Sequence, residues 1–356
     1  MKNYEGYVTE SYAAARAWKL IAGVFMAFAL FCAAAASLLY GQYGCGPGDI
    51  FRALVSFDDT GGPGYVLWNL RMPRTLAAAF CGAALGSAGA VTQNVLKNPL
   101  ATPFTIGISQ GAAFGASFAI IFLKNYSSAA SSAPPAQTHI YSIAFCAFAG
   151  SLISTAFILA LSGFKNVGPL GLILAGVALN SLFGALTMLM QYFATDIQIS
   201  SALFWTFGDV GKAGYGELGV IAAVFCLAFA YFISKSWDYN ALEWGDETAA
   251  GLGVNVKRLR IVTMLLASLV SAAVTAFIGV IGFIGLIAPH TVRIFMAGDY
   301  RYLTAYSALL GAFTLLASDL IARSALAPQV LPVGIVTAFA GAPLFLYLLI
   351  KGDRGI

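Results

Sequence analysis

Ten apolar runs of about twenty residues follow one another along the chain, separated by short polar segments, and few folds can accommodate that pattern. The hydrocarbon core of a bilayer is about 30 Å thick, and a helix crosses it in roughly 20 residues. The runs cover 20–39, 75–96, 104–123, 140–161, 170–193, 218–233, 261–280, 281–296, 303–322 and 330–350. The division near Val280 is the least defined, because the apolar run there is almost unbroken. Composition agrees with membrane burial. Of the 356 residues, 60% are hydrophobic and only 10% charged, against about 25% charged in ordinary soluble domains. So few charges cannot build a water-facing surface, so the spacing predicts an all-α polytopic membrane protein of about ten transmembrane helices. The first run has basic residues before it and small residues at 33–37, as a signal peptide would, but its length favours a retained span.

An even number of spans puts both termini on one side, and the basic residues choose which. With the N-terminus inside, the inner segments hold Lys2, Arg16, Lys19, Lys97, Lys165, Lys235, Lys257, Arg258, Arg260, Arg293, Arg301, Lys351 and Arg354. The outer segments hold Arg52, Arg71, Arg74, Lys124, Lys212 and Arg323. Thirteen against six, out of the 19 lysines and arginines, follows the positive-inside bias and makes both termini cytoplasmic. Residues 1–19 then form a cytoplasmic N-terminal segment, 20–351 one membrane domain, and 352–356 a cytoplasmic tail. The net charge of +4 is scattered between apolar runs, which does not suggest a nucleic-acid partner.

The chain lacks the groups that several function classes need. Its five cysteines form no C-x-x-C pair, and four lie inside apolar runs, as small hydrophobes do. His139 and His290 are too few and too far apart for a metal cage. Asp319 is the only carboxylate well inside a predicted span, and Arg323 follows it at i+4, which lowers the cost of a charge at that depth. A carrier driven by protons or sodium typically holds several intramembrane ionisable groups, and this chain does not. No G-x-x-x-x-G-K-[ST] occurs either, so ATP, if it is the energy source, is bound by another polypeptide.

The polar stretches supply the candidate sites. Segment 235–260 mixes both signs of charge with Trp237, Leu242, Trp244, Leu252 and Val254, and Gly245 and Gly251 divide it into what read as two short helices. It is either a solvated connector or, given its exposed tryptophans, a docking surface for a soluble partner. On the outer side Arg71 and Arg74 flank Met72-Pro73. They can snorkel to the interface, or with Arg323 receive carboxylates from an external partner. The outer stretches 41–70 and 125–138 read as loops. Two inner corners, 93–103 with Asn98-Pro99 and 164–168, are simple turns or constrictions at the mouth of a pore. Gly82 and Gly86, and Gly107, Gly111 and Gly115, lie four apart, the spacing that lets helix backbones approach closely.

Five stretches in order resemble the permeases of type II ABC importers for iron-siderophores, haem and vitamin B12. They are Arg71-Met72-Pro73-Arg74, the block GAALGSAGAVTQNVLKNPLATPFTIGISQGAAFG from Gly82, LAGVALN from Leu174, GFIGLIAPHTVR from Gly282, and LPVGIVTAFAGAPLFLYL from Leu331. The resemblance implies a vitamin B12 permease-like subunit of a homodimer in a bacterial inner membrane, with no enzymatic activity and no cofactor of its own. Two cytoplasmic ATPase subunits would hold ATP and magnesium, and a periplasmic or lipid-anchored binding protein would deliver a metal chelate for alternating-access import. It makes Arg71, Arg74 and Arg323 sockets for that binding protein, and Asp246, Glu247, Ala250, Leu252, Gly253 and Val254 the contacts to the ATPase. Asn98 and Leu100 fall at one gate, Lys165, Asn166 and Val167 at the other, and Asn180, Ser181, Met188 and Gln191 on the path. His290 lies in the shared A-P-H segment whatever the substrate, which implies a structural role. An iron chelate leads as cargo, a ferric siderophore ahead of haem or cobalamin. The hydrophilic residues 1–19 depart from the family's usually short start.

Overall fold

A computed structural model describes residues 2–41, 43–57, 62–123, 137–163, 168–296 and 298–352. Gate candidates Lys165, Asn166 and Val167, outer residues 124–136 and tail residues 353–356 lie outside the described residues.

The described chain is helical. In order, the helices are α1 (Lys2–Leu39), α2 (Pro47–Ser56), α3 (Gly62–Tyr65), α4 (Met72–Val95), α5 (Ile108–Phe122), α6 (Gln137–Ser162), α7 (Pro169–Tyr192) and α8 (Asp196–Thr206). Then come α9 (Tyr215–Ser234), α10 (Ser236–Glu243), α11 (Asp246–Gly251), α12 (Val256–Ile278), α13 (Ile284–Met296), α14 (Tyr300–Ser324) and α15 (Val333–Gly352). Seven helical stretches are long and apolar enough to cross a membrane, and three shorter apolar helices, Ile108–Phe122, Ile284–Met296 and Val333–Tyr347, bring the total to ten among the described residues. The chain is a multi-pass helical membrane protein.

Several boundaries differ from the sequence reading. The outer stretch 41–70 is not a loop. It holds α2, and from Gly62 the chain is helical through a π turn at Val66–Arg71 into α4. Pro73 explains that turn. It has no N–H to give a carbonyl one turn back, so the backbone shifts register, with the Met72 N–H bonding to the Leu67 carbonyl. Residues 2–19 and the first span form one helix, about 57 Å long at 1.5 Å per residue. The eleven-residue α8 falls in a stretch where no element is legible, because Asp196, Gln198 and two serines interrupt its apolar residues. Near Val280 the break is sharp. Gly279 (φ 83°) and Phe283 (φ 69°) both take left-handed backbone, Val280 pairs with Phe207 as an isolated parallel bridge, and the Asp209 N–H bonds to the Ile278 carbonyl at 2.9 Å. Gly245 closes α10 as expected, and two short helices follow one another across 236–251.

α4 is the pillar of the bundle. It touches α14, α12, α13 and α9, while α5, α6 and α7 form a neighbouring group joined to it through α12. The glycine row explains how it sits so deep. A Cβ on Gly82 or Gly86 would run into the backbone of α14 at Gly311 and Ser307, and one on Gly89 into Gly285 of α13. Gly111 and Gly115 of α5 meet Gly150 and Cys146 of α6 in the same way. Close backbone contact replaces the hydrophobic drive that lipid cannot provide.

Candidate functional sites at the two ends of α4

The three arginines singled out in the sequence converge at the N-terminal end of α4. Arg71, Arg74 and Arg323 line one cleft of about 500 Å³ together with Gly41, Tyr43, Asn69 and Gly214. Each has partners within the chain. Arg71 donates from Nη1 to the carbonyls of Leu38 (2.8 Å) and Leu39 (3.0 Å), and from Nη2 to that of Tyr43 (2.7 Å), so it caps carbonyls at the end of α1. Arg74 donates from Nε (2.9 Å) and Nη2 (2.8 Å) to Oδ1 of Asp319, and its Nη2 also reaches Oδ1 of Asp209 at 3.2 Å. Arg323 Nη2 donates to the Ser37 hydroxyl at 2.7 Å, which is itself 2.7 Å from the Thr75 hydroxyl. Arg323 Nε lies 3.0 Å from Asp319 Oδ2 but the N–H is not aimed at it, so that contact is one of charge alone.

Asp319 is fully buried and stands between two guanidiniums. Its i+4 relation to Arg323 was legible. Arg74, 245 residues away, was not, nor was Asp209, a carboxylate with no surrounding motif. Nearby, Lys212 Nζ caps the end of α8, donating to the carbonyls of Phe207 (2.9 Å) and Trp205 (3.2 Å); its burial pushes the ammonium pKa down, against the pull of Asp209.

The other end of α4 meets segment 235–260. α10 is fixed there by buried bonds. Asn94 Nδ2 donates to the Tyr239 carbonyl and to Glu243, both at 3.1 Å, and the Tyr239 hydroxyl pairs with Thr263 at 2.9 Å. Asn240 donates to Asp299 at 3.0 Å and accepts from the Tyr300 N–H at 2.8 Å. Asp299 is a hub. It takes the Asn240 amide, the Arg301 guanidinium at 2.7 Å and the Lys19 ammonium of α1 at 3.7 Å. Partial burial would raise its pKa, but the Arg301 and Asn240 bonds overcome that and hold the carboxyl at about 2.

Away from those anchors the surface is apolar and open. Trp237, Trp244 and Leu252 are 65%, 81% and 68% exposed, and Glu247, Ala250 and Gly253 are exposed beside them, with Val254 half-buried. Asp246 sits at the base of this surface, paired with Lys97 at 2.7 Å and with Arg260 at 3.1 Å. Partial burial opposes the shift, yet the Lys97 hydrogen bond and the Arg260 charge hold the Asp246 carboxyl below its usual range. In the adjoining turn, Asn98 Oδ1 accepts from the Leu100 N–H at 2.7 Å, while the Leu100 side chain is exposed.

The four path candidates lie on α7, the second least buried of the long spans. Leu174, Val177, Ser181 and Met188 all fall on its exposed side, whereas Asn180 and Gln191 are half-buried. Gly176, on the opposite side, packs its backbone against Thr105 and Ile106 ahead of α5. The single chain therefore does not enclose these residues. His290 is half-buried on α13, directly after the internal Pro289.

The sequence profile of the FecCD transport family matches residues 28–351. An ABC transporter permease protein of Methanocaldococcus jannaschii is 47% identical over 94% of this chain and 95% of its own length. The hemin transport system permease of Yersinia pestis is 35% identical, covering 85% of this chain and 88% of its own. The iron(3+)-hydroxamate import permease FhuG of Bacillus subtilis is 33% identical, covering 81% and 84%. Among solved structures, a metal-chelate type ABC transporter in an inward-facing conformation superposes with a TM-score of 0.79 at 31% identity, over 92% of this chain and 98% of that one.

Proposed function

The chain belongs to the FecCD transport family, and from that premise we propose that it forms the path by which an ABC importer takes up an iron chelate, a ferric siderophore first among the candidates. The observation that carries the reading is the pairing of two ends on one buried helix: an arginine cleft at the start of α4 and an open apolar surface at its end. Such a surface on a chain without a P-loop suits a soluble ATPase, and the cleft suits an acidic external protein. In this reading Arg71, Arg74 and Arg323 meet the binding protein, with Arg74 giving up its weaker bond to Asp209 when an outside carboxylate arrives. Glu247, Ala250, Leu252, Gly253 and Val254 meet the ATPase. Asn98 and Leu100 narrow the inner mouth.

Two copies of the chain bring their α7 faces together, so that Asn180, Ser181, Met188 and Gln191 line the space between them. Both termini and the coupling segment face the cytoplasm. The lining carries no charge, as suits a pathway that releases its cargo rather than holding it. ATP binding would close the ATPase pair and switch the path between outward and inward states. Haem is a second reading, favoured by the similarity to the hemin permease. The cargo is tested with the binding protein that docks on this chain, titrated with ferric siderophores, haem and cobalamin. Tight binding of a ferric siderophore alone is the expected result; tight binding of haem or cobalamin instead would reassign it.

A further inference from the structure

If segment 235–260 moves with an ATPase, that motion must enter the membrane through a few contacts, and the two short helices are attached differently. α10 is held to α4 and α12 by buried amide and hydroxyl bonds from Asn94 and Thr263, and to the α13–α14 corner by a part-buried amide bond from Asn240. α11 reaches the end of α4 through one carboxylate. Asp246 Oδ1 lies 2.7 Å from Lys97 Nζ, and Asp246 Oδ2 lies 3.1 Å from Arg260 Nη2, while Arg260 Nε donates to the Val95 carbonyl at 2.8 Å. The two members of the first pair are 38% and 46% exposed at their side chains. Exposed pairs of this kind hold little stability and re-form after small displacements. Lys97 also sits in left-handed backbone at φ 47°, directly before Asn98 and Pro99, so its position and that of the turn are tied together.

We propose that Lys97 and Asp246 are positioning residues that pass displacement of α11 to the turn at the end of α4, and so to the mouth of the path. The proposal rests on the importer-permease reading given above. α11 presents Glu247 and Ala250 outward and buries Ala249, so a partner pushing on its outer side acts on Asp246 at its first turn. Arg260 keeps the carboxylate near Val95 when the Lys97 pair is broken, which makes the lysine the group to change.

The test uses the whole complex in proteoliposomes: this chain, its ATPase and its binding protein, supplied in turn with ferric siderophore, haem and cobalamin. The readout is chelate imported per ATP hydrolysed. Lys97→Gln should lower that ratio about fivefold, the scale of a modest coupling between sites, while Lys97→Arg, which keeps charge and reach, stays near wild type. A loss of packing alone would lower the thermal stability of the complex without changing the ratio. An unchanged ratio in Lys97→Gln, or an equal loss in both variants, overturns the linkage and leaves the importer reading standing. If the wild-type complex hydrolyses ATP and imports none of the three, the importer reading falls and the linkage with it.

Discussion

Asp319 shows how much a single side chain can organise in a membrane interior. It is fully buried and shared by Arg74 and Arg323, so removing its charge strands two cations. Asp319→Asn should destabilise the protein by about 3–5 kcal/mol, the usual cost of breaking a buried ion pair from one side, read as a lowered melting temperature in detergent. Asp209 is different. It is a third exposed and holds only one arm of Arg74. Asp209→Asn should cost under about 1 kcal/mol of stability and, in the proposed reading, tighten docking of the binding protein, because Asp209 no longer competes with the incoming carboxylate for Arg74. Weakened docking in that variant would instead make Asp209 part of the contact. Of this cluster the sequence shows the parts that are close in the chain or alike in type: the i,i+4 pair and the two arginines around Met72-Pro73. It hides the pairing of Arg74 with Asp319, because that contact exists only once α4 and α14 are packed.

At the scale of elements, hydropathy made the spans legible and the four-residue glycine spacing marked where backbones meet. Which helices they meet was not written there. Gly82 and Gly86 approach α14, and Gly89 approaches α13, through pairings between segments some two hundred residues apart. Gly89→Ala should therefore be poorly tolerated, costing about 1–3 kcal/mol or more for an overpacked contact against rigid backbone, whereas Gly219→Ala on α9, with nothing within 4 Å, should leave melting unchanged. The break at 279–283 escaped hydropathy for a physical reason: its residues are as apolar as the helices beside it, and the pairing of Val280 with Phe207 interrupts the helix there. The corner at Asp299 joins α1, α10 and α14. Its carboxyl is held at about 2, below an ordinary aspartate, so its contribution is full above the unfolded value and is lost as pH falls from about 4 toward 2. The melting difference between wild type and Asp299→Asn should be widest near neutral pH and close over that acid range; a difference independent of pH would mean the carboxylate is not what holds the corner.

For the whole molecule, the two ends of α4 matter more than any pocket between them. One end is rich in arginine, each guanidinium hydrogen-bonded within the chain, the other displays two exposed tryptophans, and a single buried helix connects them. In the proposed reading the chain works with partners on both sides, and its α7 face forms a path with that of a second copy. Cargo identity is poorly legible here because the path candidates are neutral, and relatives of similar identity are named for hemin and for hydroxamate chelates. Dependence on partners is the central claim, and uptake into sealed vesicles tests it most directly. Ferric siderophore should accumulate only when this chain, an ATPase, a binding protein and ATP are all present, and omission of any one should abolish it. Accumulation by this chain alone, driven by an ion gradient or by none, would contradict the account.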